Sequence, residues 1–127
     1  MTLENTMSPF QNKLKFLMDD YVHFIYKLAK EFPKEELYST TSQLKRATLS
    51  VILNYIEGYS RKRKKVQLNF YEISYGSLAE SRYLCNFAIK EGWLEREKYD
   101  RIIEIADEIG KMLWSEIKST EQSIGNV

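Results

Sequence analysis

Apolar residues at helical spacing run through nearly the whole chain, and three breakers, Pro33, Gly58 and Gly92, cut that pattern into four pieces. In the first piece Leu14, Leu17, Met18, Tyr21, Ile25 and Leu28 recur with the 3.6-residue period. Ser8 can cap it, Pro9 suits the first helical position, and Gln11 completes an S-x-x-Q capping box. Pro33 predicts a stop near Glu31, because the residue before a proline avoids the α region. A second capping box, Thr40 to Gln43, opens the next helix, and Gly58 is expected to take the left-handed position after its end. The third helix runs from Lys64 to Glu91 and is stopped by Gly92 in the same way. The fourth places Ile102, Ala106, Ile109, Leu113 and Ile117 on one stripe, with acids in its first turn. No segment alternates with period two and no internal repeat occurs. The expectation is all-α: an antiparallel up-down four-helix bundle with helices at 9–31, 41–57, 64–91 and 95–119. It forms a single domain over 1–127, with 1–7 and 120–127 as frayed ends.

Composition narrows the class. The chain has 127 residues, 43% of them hydrophobic and 29% charged, which fits a globular domain and excludes a disordered one. A single cysteine, Cys85, cannot make an internal disulfide, which suggests an intracellular protein. Met1 to Met7 lacks the pattern of a secretory signal, and the longest uncharged apolar-rich run, Ala47 to Ile56, is too short to cross a bilayer. The expected location is the cytoplasm, with no membrane partner.

A net charge of +1 hides an asymmetry. Between residues 41 and 70 the only acid is Glu57, while Lys45, Arg46 and the run Arg61, Lys62, Arg63, Lys64, Lys65 are basic. That run falls at the junction of the second and third helices. It reads either as a solvated loop that suits a helix C-terminus or as a phosphate-binding patch for RNA or DNA. A ring of subunits would repeat the patch around an axis and multiply its field. Tyr59, Phe70 and Tyr71 lie close by and could stack bases, although their helical spacing also fits a core.

The second helix carries an unusual polar stripe. At 100° per residue, Gln43, Arg46, Ala47, Ser50, Asn54 and Glu57 fall within about 100° of one face. A solvated face is normally rich in Lys and Glu, whereas this one is small and amide-bearing. Gly76, Ser77 and Glu80 offer a matching set on the third helix, with Gly76 leaving space for a second backbone. Gln43, Arg46, Asn54, Glu57, Gly76, Ser77 and Glu80 are therefore expected to form a buried or interface polar network that fixes register and partner choice.

Chemistry-bearing patterns are missing. One histidine, His23, and one cysteine cannot build the usual zinc sites; His23 reads as a partly buried structural residue and Cys85 as core. No nucleophile elbow, P-loop or dinucleotide fingerprint is present. Glu57 and Glu80 could pair as an acid–base couple, but a structural role beside Arg46 is favoured. The expectation is no enzymatic activity, no metal and no cofactor.

Phe32-Pro33, Glu36, Gln43-Leu44-Lys45-Arg46-Ala47, Ser50, Asn54-Tyr55-Ile56-Glu57-Gly58 and Gly76-Ser77-Leu78-Ala79-Glu80 follow one another in an order that resembles the 23S rRNA intervening-sequence proteins. The family pattern runs F-P, Q-L-R-R-A, S-I, N-I-A-E-G and G-S-x-x-E, and Gly92-Trp93-Leu94 is similar to its turn before the last helix. The likeness spans roughly residues 12–118. It implies a left-turning up-down bundle, a homopentamer, no established catalysis, and motif residues at Gln43, Arg46, Asn54, Glu57, Ser77 and Glu80. A related branch, the accessory variability determinants of diversity-generating retroelements, forms basic pentamers that bind nucleic acid and a reverse transcriptase. Here Lys45 replaces the first arginine of the usual pair, Tyr55-Ile56 replaces Ile-Ala, and Arg63 stands where a serine cap is common. Two expectations follow. The first is a non-enzymatic pentameric scaffold or interaction module; the second is a nucleic-acid-binding accessory protein, with a reverse transcriptase as possible partner, using Arg61 to Lys65.

Overall fold

The structure is a computed structural model in which residues 6–125 are described. Four helices follow one another: α1 Pro9–Ala29, α2 Thr40–Tyr59, α3 Lys64–Lys90 and α4 Arg96–Gly125, with a short 3₁₀ turn at Lys34–Glu36 between the first two. No strand occurs among the described residues. Each helix packs on its sequence neighbour, and α1 closes the ring against α4, giving the up-down bundle.

Local chemistry explains most of the boundaries. The first capping box forms as expected: Gln11 N donates to the Ser8 hydroxyl at 3.1 Å and Ser8 N donates to Gln11 Oε1 at 3.0 Å. At the far end of α3, Gly92 adopts φ +81, with Gly92 N bonded to Ile89 O and Trp93 N to Ala88 O. These are the two bonds of a Schellman cap. Trp93 then tucks between Phe32 and Phe87, with both ring centroids at 5.7 Å.

Three boundaries differ from the sequence reading. The Thr40–Gln43 box does not form. Instead the Ser39 and Thr40 hydroxyls donate to Glu36 Oε1 at 3.0 and 2.7 Å, which holds that carboxyl below its ordinary value. Gly58 is not a left-handed stop. It lies inside α2, where a Cβ would sit 2.8 Å from Tyr71 and 2.9 Å from Phe70, so its missing side chain lets α3 approach. Finally, α4 continues through Gly125 instead of ending near 119, because Thr120 is buried and bonds back to Glu116 O at 2.8 Å. At the other end Met7 is buried, and residues 1–5 of the expected frayed segment lie outside the described residues.

The core is a continuous apolar cluster along the bundle axis, including Leu14, Met18, Ile25, Leu44, Val51, Ile102, Ile109 and Leu113. Cys85 is fully buried in it, and burial pushes its thiol up to about 12. Two tyrosines cross the core on its diagonals. Tyr21 of α1 meets the Ser81 hydroxyl of α3 at 2.8 Å, and Tyr55 of α2 donates to Glu116 of α4. His23 is exposed and not partly buried as expected; its Nε2 lies 3.4 Å from Asp19 on the preceding turn.

Candidate functional site

The α2–α3 seam is built from small residues. Ala47 is buried, the Ser74 hydroxyl donates to Val51 O at 2.6 Å, and Gly58 admits Tyr71. On the outer edge the Ser50 and Ser77 hydroxyls bond at 2.8 Å, and Asn54 Nδ2 donates to Ser50 O and Ser50 Oγ at 2.9 and 2.8 Å. Asn54 and Ser77, with Ser50, thus share hydrogen bonds at half-buried positions. Gln43, Arg46, Glu57, Gly76 and Glu80 are exposed within a single chain. Among the described residues Arg46 bonds to Ser42 alone, at 2.8 Å, and Glu57 pairs with Arg61 one turn later. For Arg46 and Glu57 the reason is rotational: they fall on the outward side of the stripe, next to exposed Leu53, whereas Gln43 lies in line with Ser50 and Asn54 but two turns nearer the start of α2. Gly76 has nothing within 4 Å of where its Cβ would be, so the close backbone approach within the chain occurs at Gly58 instead.

Arg61, Lys62, Arg63, Lys64 and Lys65 are all exposed at the α2–α3 turn. Arg61 is engaged, bonded to Glu57 and lying 5.3 Å over the Phe70 ring. No carboxylate pairs with the other four among the described residues. Of the nearby aromatics, Tyr71 is buried, while Tyr59 is half-buried and its hydroxyl donates to Thr6 at 2.8 Å.

A second polar cluster escaped the sequence reading. Glu116 of α4 is 9% exposed, and each of its oxygens accepts one hydrogen bond: Oε1 from Tyr55 of α2, Oε2 from Gln11 of α1 at 2.8 Å. Tyr71 of α3 stacks on Tyr55 at 5.2 Å. Burial, and then the Glu116 charge, raise the hydroxyls of both tyrosines well above their ordinary value. Each of the other three helices thus sends one side chain to the Glu116 cluster, Gln11 and Tyr55 as donors and Tyr71 through its stacking on Tyr55. Glu116 falls in register with Ile109, Leu113 and Thr120 on the buried stripe of α4, and a carboxylate at such a position is the signal that could have found it. Among the described residues no three His, Cys, Asp or Glu side chains gather as metal ligands, and no helix is long and apolar enough to cross a membrane.

An up-down bundle with a small-residue seam on one flank and a four-helix carboxylate cluster at one end defines the class of this protein. The family model of the 23S rRNA-intervening sequence protein matches residues 16–115, and the chain belongs to that family. Among solved structures it is similar to a protein with unknown function from the S23 ribosomal protein family of Bacteroides thetaiotaomicron. The TM-score is 0.80 over 86% of this chain and 98% of that one, and at 24% identity the likeness concerns the fold. No curated protein matches the chain.

Proposed function

We propose that this chain is a non-enzymatic, self-assembling bundle, a homopentamer that serves as a scaffold or interaction module, with copies meeting across the outer face of α2 and α3. The carrying observation is the character of that face. Gly76 opens a shallow recess in mid-helix, and beside it Leu53 and Ile73 are 54% and 44% exposed. Leu53 follows Ser50 by three residues and Ile73 precedes Ser77 by four, so both border the Ser50–Asn54–Ser77 network. Arg46 with Glu57 and Glu80 puts both charge signs on the same face, as a surface that meets its own copy requires. Light scattering tests the reading. The wild type should exceed the 15.1 kDa of one chain several-fold. Gly76→Leu, whose Cβ would meet nothing within the chain, should keep its helicity and fall to monomer mass; Asn54→Leu should likewise lose mass before helix content. A wild-type monomer at micromolar concentration overturns the reading.

A second reading is favoured by the four cations Lys62, Arg63, Lys64 and Lys65, with which no carboxylate pairs among the described residues. In a ring they would form a basic rim for RNA or DNA, and a reverse transcriptase belongs to this reading as a further partner. With four contacts per engaged subunit, log affinity against log salt should fall with a slope of about −3 to −4. Unchanged affinity and slope after neutralising Arg61 to Lys65 would exclude the patch.

A further inference from the structure

The end of the bundle where α1 and α3 begin and α2 and α4 finish holds a pocket of about 410 Å³. Glu116 lines it with Gln11, Tyr59, Tyr71 and Ser119, and Lys64 stands among the lining residues as an exposed cation. Glu116 has hydrogen bonds from Tyr55 and Gln11 but no cationic partner among the described residues. A carboxylate withdrawn from water is costly unless a positive group answers it, and each oxygen keeps acceptor capacity beyond its single bond. Tyr59 and Tyr71 add aromatic surface of the kind that favours an ammonium group. A simple cation, however, would meet Lys64 at the pocket wall, with Lys62, Arg63 and Lys65 adjoining it in the chain. These repel a net positive charge and attract an acid group.

From this pairing we infer that the pocket binds a small zwitterion of the ω-amino-acid class, its ammonium on Glu116 and its acid group toward Lys64. Calorimetric titration of the full chain tests it with 4-aminobutyrate and 6-aminohexanoate as probes. 6-Hydroxyhexanoate lacks the cation and hexylamine lacks the acid. At least one amino acid should bind the wild type, and the hydroxy acid should bind about tenfold or more weakly, the worth of one charge-assisted hydrogen bond. Glu116→Gln should cost the amino acid a similar factor. Lys64→Ala, at an exposed position, should weaken the amino acid while leaving hexylamine unchanged or tighter. If Glu116→Gln fails to fold, the wild-type probe series and Lys64→Ala still decide. Absence of binding by both amino acids at millimolar concentration overturns the inference. So does equal binding of the hydroxy acid, or indifference to Lys64→Ala.

Discussion

The two polar regions of this bundle answer the same problem in opposite ways. Along the outer edge of the α2–α3 seam the polar atoms are neutral, half-buried and satisfy one another: Ser50, Asn54 and Ser77 share their hydrogen bonds. At Glu116 the polar atom is charged and buried, and it takes donors from two other helices. A neutral hydroxyl at an open edge loses little when its partner goes, because water replaces it. A buried carboxylate left short of a donor loses its full compensation. The seam is thus a surface that tolerates change until something covers it, and the cluster is an internal constraint whether or not anything binds.

Substitutions can break or sharpen that contrast. The largest effect should come from Gly58→Leu, which drives a side chain into Tyr71 and the Phe70 Cβ; about 3 kcal/mol or more should be lost in urea denaturation. A silent result would mean that Tyr71 is not held against the cluster by packing. Tyr55→Phe removes one donor from Glu116 and should cost about 2 kcal/mol. Its counterpart on the seam, Ser77→Ala, should cost under about 0.5 kcal/mol at concentrations where the chain is monomeric. Equal costs would erase the distinction drawn here.

Alkali probes the interior from another side. Cys85, Tyr55, Tyr71 and Tyr21 all have folded values raised above ordinary ones of 9.0 for the thiol and 10.0 for the phenols. The folded chain therefore keeps protons that the unfolded chain releases, and stability should decline as pH rises from about 9 toward 12. Tyrosinate absorbance should appear in step with unfolding for these three phenols. A gain in stability is expected at Gly76. Replacing this exposed mid-helix glycine by alanine should stabilise the lone chain by about 0.5–1 kcal/mol. If the same change lowers the assembled mass, the face is covered by a second copy.

Much of this architecture was legible because helical periodicity and breakers are local. Ser8–Gln11 and Gly92 did what their neighbours in sequence required. Gly58 misled, because its role is set by Tyr71 thirteen residues on, across a helix–helix contact. The start of α2 falls within one residue of its expected place, but the Thr40–Gln43 box does not form because Glu36, outside it, accepts from Ser39 and Thr40. The polar stripe was visible on one helical wheel; which of its members turn inward depended on where α3 lies. The Glu116 cluster was invisible for the same reason in stronger form. Gln11, Tyr55, Tyr71 and Glu116 have no common spacing, and only the closed bundle brings them together. One clue was present, an acid in the apolar register of α4.

Gln11 joins the two levels of this structure. Its carbonyl oxygen closes the first turn of α1 on Ser8, while its amide nitrogen reaches Glu116. Whenever that turn unwinds, the carboxylate loses a donor in the same motion, so terminal breathing and exposure of the interior charge are a single event. Amide exchange at the start of α1 should accordingly slow when anything occupies the space around Glu116, giving a report on the pocket from a position at its edge.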